Sequence, residues 1–162
     1  MTTIFKNEER KLVTSFKGIL KKTFFLAGVG GLAFWLANFA ISRTAIAAEY
    51  RAAMSISYYP MLLEALFGGL IIGFWVSYLL LRFFDKIPAK DPILKSIMIS
   101  LFVLLIVTIS IGNPSVYYRT PDSLHYFFIG FVFNFIRILA LGVAIGYGCK
   151  RNFFGNNQEV RK

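Results

Sequence analysis

The chain has 162 residues, is 57% hydrophobic and 17% aromatic, and carries a formal net charge of +10 with a mean hydropathy of +0.63. A soluble domain of this length cannot bury so large an apolar share, so part of it must face lipid. The single cysteine, Cys149, excludes an internal disulfide and any dithiol relay within the chain.

In residues 1–22, Leu12, Phe16, Ile19 and Leu20, continued by Phe24, recur at helical spacing, with Lys6, Arg10, Lys17, Lys21 and Lys22 at other positions. This predicts a cytoplasmic N-terminal amphipathic helix that runs into the first span and sets its basic residues near anionic headgroups. A plain insertion signal is the alternative. The apolar run that follows, about 18 residues, exceeds the usual signal-peptide core, so Ala45, Ile46 and Ala47 are not read as a cleavage site.

Four stretches can cross a hydrocarbon core about 30 Å thick, which takes roughly 20 helical residues. They lie at Thr23 to Ile41, Pro60 to Phe84, Ile93 to Gly112 and Leu124 to Cys149. Their apolar residues do not alternate as barrel strands do, and a segment in lipid must satisfy its own backbone, so all four are predicted helices. The loop from Ser42 to Tyr59 is alanine-rich between Ala45 and Ala53 and is expected to hold a short surface helix. Asp91 before Pro92 suits the start of the third span, and Thr120, Pro121 and Asp122 suit that of the fourth. Residues 152–162 read as a polar cytoplasmic tail. The expected fold is therefore all-α: one integral membrane domain over residues 1–162, built as an up-down-up-down four-helix transmembrane bundle.

Orientation follows from the eighteen Lys and Arg residues. Fourteen fall before the first span, in the central loop or in the tail, while the other two loops hold only Arg43, Arg51 and Arg119. The positive-inside rule then places both termini in the cytoplasm and the protein in the cytoplasmic membrane. The same distribution makes anionic lipid at the cytoplasmic face, and not nucleic acid, the expected partner of the positive charge. Six of the eight tyrosines, at Tyr50, Tyr58, Tyr59, Tyr117, Tyr118 and Tyr126, lie in or beside the outer loops, as in an aromatic belt. Cys149 beside Lys150 would suit palmitoylation, but a small helix residue is the plainer reading.

Two residues interrupt the apolar spans. Glu64 lies in the second and Arg137 in the fourth, and a charge inside a membrane helix ordinarily faces a partner or a water-filled cavity. Counted from the basic borders at Arg82 and Lys150, they differ in height by roughly 7 to 8 Å, a gap that a long side chain closes. The expectation is an intramembrane polar pair, with Asn134 and Asn38 as supporting hydrogen-bond partners. Such a pair is either a buried clamp or a site with Glu64 as cation acceptor and Arg137 as anion partner.

Gly69 with Gly73, and Gly142 with Gly146, have the GxxxG spacing that lets helix backbones approach closely, within one bundle or between two copies. Ala27 and Gly31 give the first span a weaker version. A shift of 73 positions superimposes the two glycine pairs and sets Glu64 on Arg137, which suggests two duplicated two-span halves.

Catalytic signatures are missing. His125 is the sole histidine, no Cys or carboxylate cluster offers metal ligands, and no Walker loop, nucleophile elbow or HExxH pattern occurs. No catalytic residue, cofactor or metal is assigned. The outline resembles the small multidrug-resistance transporters, four short spans with one membrane-embedded glutamate, but those carry it in the first span. The four-helix disulfide-generating oxidases need paired cysteines. No residue role follows from either. The expected role is that of a non-enzymatic accessory, scaffold or assembly subunit, associating with itself or with partner membrane subunits. The alternative is a small oligomeric transporter or channel using Glu64 and Arg137.

Overall fold

A computed structural model describes residues 2–111 and 122–154, with side chains at 17–109, 122 and 124–152. Five α-helices account for most of them: α1 (Thr2–Ser42), α2 (Ala45–Ala53), α3 (Tyr58–Arg82), α4 (Pro92–Ile111) and α5 (Ser123–Cys149). A 3-10 turn, Phe84–Lys86, follows α3, and a π-helical turn, Lys150–Phe154, extends α5. Four helices are long and apolar enough to cross a membrane, over Lys17–Ser42, Tyr58–Arg82, Pro92–Ile109 and Leu124–Asn152. The chain is thus all-helical with four candidate spans, each within a few residues of its expected place except at the start of the first.

That start differs because α1 is one uninterrupted helix of 41 residues, about 60 Å long, with no break between the basic segment and the span. The side chains of residues 1–16, on which the expected amphipathic face depends, lie outside the described ones. The short helix expected in the alanine-rich loop forms as α2. Thr44 joins it to α1: its hydroxyl donates to the Ile41 carbonyl at 2.8 Å and accepts from the Ala47 N–H at 3.2 Å. Ser55, with φ at +53°, reverses the chain into α3.

Pro92 opens α4 as expected, at a position where its missing N–H costs nothing. The Asp91 carboxylate reaches Lys150 at 3.5 Å across the chain. At the last helix the expectation shifts. α5 begins at Ser123 after Asp122, whose side chain makes no capping bond, and residues 120 and 121 lie outside the described part.

Glycine contacts fix the packing. A Cβ built on Gly31 would lie 3.1 Å from the Leu70 backbone, and one on Gly73 would lie 3.0 Å from the Ala27 carbonyl, so α1 and α3 run antiparallel. On the next face of α1, Gly30 receives Ile145 and Leu141, and Leu26 meets Gly148, so α5 is antiparallel to it too. Gly142 faces Ser100 and Ile97, and Gly146 faces Ile93 at 2.5 Å from a built Cβ, which pairs α4 with α5. Both GxxxG pairs are therefore occupied within the chain. Each lies on the second helix of a hairpin, α1/α3 or α4/α5, and receives that hairpin's first helix.

Around the bundle the order is α3, α1, α5, α4, and α3 touches α4 only lightly. α1 is the most enclosed span, and the core gathers Leu26, Val76, Leu80, Ile138, Leu141 and Ile145. Cys149 belongs to it, fully buried, which leaves its thiol no route to an acyl chain. Phe24, Phe67, Trp75, Phe102, Phe128 and Phe131 are exposed, an apolar exterior suited to lipid.

Candidate functional site beneath α2

Register brings the polar residues of the candidate spans to one level. From the contacts of Gly31 with Leu70 and of Gly30 with Leu141, two turns toward α2 reach Asn38 on α1, Glu64 on α3 and Arg137 on α5, to within about a turn. The height difference counted from the basic borders disappears because Arg82 and Lys150 are not level. α3 runs about a turn farther at that end.

Level is not contact. Glu64 is exposed on the outside of α3, and it makes no ion pair with Arg137 among the described residues. Arg137 is half-buried, donates from Nη1 to Asn134 Oδ1 at 3.1 Å, and lies 6.0 Å from the centre of the Phe133 ring. Its Nε is buried without a hydrogen-bond partner. Asn38 is fully buried, and neither its amide nitrogen nor its oxygen has a partner. The structure thus brings Asn134 to Arg137 and leaves Asn38 and Glu64 unjoined to them. A helix faces one way only, and Glu64 is on the side of α3 turned from the bundle.

What Arg137 does line is a pocket of about 140 Å³ roofed by α2. Ile41 and Ser42 come from the end of α1, Ala47, Tyr50 and Arg51 from α2, Ile56 and Met61 from the start of α3, and Phe133 from α5. Three local features build it. The Arg51 Nη1 donates to the Ser42 carbonyl at 2.9 Å, a cation at a helix C-terminus, and its guanidinium lies 5.1 Å from the Tyr58 ring. The Tyr50 ring packs against Phe133 at 5.8 Å and Tyr126 at 6.3 Å. The Tyr50 hydroxyl lies over Gly130, where a built Cβ would meet it at 2.8 Å. The charged side chains of the lining are both guanidinium groups.

Sequence reasoning set Tyr50 in an aromatic belt and Arg51 in an outer loop but assigned neither to a site. The available signal was two adjacent large side chains in a helix otherwise rich in alanine, the composition of a lid that packs closely and places one or two groups. The other candidate residues, Gly69, Gly73, Gly142 and Gly146, are far from this pocket and serve helix contact. Among the described residues no group of His, Cys, Asp and Glu could hold a metal ion.

A second concavity, about 500 Å³ and apolar, runs between α3 and α4, with Gly68, Ile71, Ile72, Trp75 and Leu79 opposite Val103, Ile106 and Val107. Comparison of the chain with protein-family models, with curated proteins and with solved structures finds no match.

Proposed function

We propose that this is a non-enzymatic accessory or assembly subunit of a cytoplasmic-membrane complex, an up-down-up-down bundle with its termini inside and α2 outside. The orientation rests on the bias of Lys and Arg toward one side. The role rests on one observation, the open seam between α3 and α4 in a bundle closed elsewhere by glycine contacts.

Its occupant is one apolar transmembrane helix of a partner subunit. The seam follows α3 from Gly68 to Leu79, about 16 Å or three turns, the length of a helix contact. Gly68 lies on its floor with no heavy atom within 4 Å of a built Cβ, so another backbone can approach there. A photo-crosslinking amino acid at Ile71 or Ile106, both exposed, is expected to give one discrete adduct with a second integral membrane chain. The same probe at Phe128, on the exposed face of α5, gives none, and Gly68→Phe removes the adduct. Adducts of equal yield from all three positions, or with lipid alone, would overturn the reading.

The alternative, a small transporter or channel using Glu64 and Arg137, draws on the pocket beneath α2. Against it weigh Ile138 and Leu141, buried just beyond Arg137, and the outward position of Glu64.

A further inference from the structure

We infer that the pocket beneath α2 is a binding site for an oxyanion of phosphate type, held between Arg51 and Arg137. The argument starts from charge. Two guanidinium groups share one small cavity whose lining, among the described residues, includes no carboxylate, and its walls are the apolar side chains of Ile41, Ala47, Ile56, Met61 and Phe133. The nearest acidic residues in sequence, Glu49 on α2 and Glu64 on α3, are both exposed and outside the lining. Such an arrangement is unfavourable unless something negative enters, because two like charges share a partly desolvated space with no counter-charge in the described lining.

The donors suit a planar or tetrahedral oxyanion. Arg137 commits Nη1 to Asn134 and keeps a buried Nε with no partner, while Arg51 commits Nη1 to the end of α1. The fork of a guanidinium matches two oxygens of one anion, and a low-dielectric wall strengthens the attraction. A volume of about 140 Å³ holds roughly four or five waters, enough for one phosphate group and too little for a nucleotide. That group can be free inorganic phosphate or the headgroup phosphate of an anionic lipid in the leaflet beside α2.

The test uses the purified full chain and follows thermal unfolding by intrinsic tryptophan fluorescence. One arm titrates inorganic phosphate against chloride at equal ionic strength in neutral detergent. The other compares nanodiscs of phosphatidylcholine with nanodiscs containing phosphatidylglycerol. A rise in midpoint in either arm is expected, and which arm responds identifies the source. Arg51→Gln and Arg137→Gln should each weaken the apparent affinity at least about tenfold. Arg151→Gln, at the far end of the bundle, should leave it unchanged. Should Arg137→Gln fail to fold, Arg137→Lys keeps the charge but loses the fork, and Gly130→Ala displaces the Tyr50 side chain that lines the pocket; both should weaken binding. No shift in either arm, or a shift that survives Arg51→Gln and Gly130→Ala, would overturn the inference.

Discussion

The two ends of the bundle treat buried polar groups differently. At the end away from α2, Thr23 donates to the Ile19 carbonyl, Ser100 to the Ser96 carbonyl, and Lys95 folds back so that its ammonium meets the Phe84 carbonyl at 2.5 Å and the Phe84 ring at 3.9 Å. The groups left over there are the hydroxyls of Ser77 and Ser96. At the α2 end the unpartnered groups are a whole amide, on Asn38, and an edge of a guanidinium, on Arg137. The first end leaves two hydroxyls unmet but satisfies its charged group, Lys95, from its own chain. The second retains hydrogen-bonding capacity that its own chain does not use, and a buried unmet group costs about 1 to 3 kcal/mol.

The largest effect that would sharpen this contrast lies at the end away from α2. Gly146→Ala places a Cβ 2.5 Å from the Ile93 Cα, a contact that only backbone movement relieves. It should destabilise the protein by about 1 to 3 kcal/mol in reversible unfolding from mixed micelles. Gly68→Ala, with open space around its Cβ, should change stability by less than about 0.5 kcal/mol. Equal losses in the two variants would show that α4 and α5 do not meet as closely as described.

Next comes Asn38→Leu. Replacing an unmet amide by an apolar side chain of similar size should stabilise the chain by about 1 to 2 kcal/mol in the same assay. Destabilisation instead would mean that the amide has partners, and the contrast between the ends would break. The smallest expected effect is that of Glu64→Gln. A carboxylate on the outward face of a candidate span, with no ion-pair partner among the described residues, should on neutralisation gain less than about 1 kcal/mol, whereas a loss above about 2 kcal/mol would restore the pairing with Arg137.

Much of the fold was legible because it depends on local signals. Four apolar runs of sufficient length, an alanine-rich loop and the Asp91–Pro92 step announce four spans, α2 and the start of α4 without reference to other parts of the chain. GxxxG spacing announces a groove but not its occupant, and Gly69 with Gly73 turned out to receive α1, not a second copy. The polar residues were harder. Counting could place Glu64 and Arg137 near the same depth, but the direction each faces depends on which side of its helix packs inward. Both sides of α3 are apolar enough to hide the answer. Tyr50 and Arg51 became part of a pocket only because α2 folds back over the end of α1, a tertiary event with no periodic signature.

Gly30 and Gly31 are neighbours in sequence, yet one receives α5 and the other receives α3. Successive helical residues point about 100° apart, so this dipeptide sets the angle between the two halves of the molecule. The order of synthesis gives it further weight. When α3 has been made, Gly31 can be engaged and the first hairpin completed, while the Gly30 face is still uncovered toward lipid. It stays so until α5 arrives. α1 is then the axle on which biogenesis turns, and a nascent chain stopped after α3 would present a ready-made docking face.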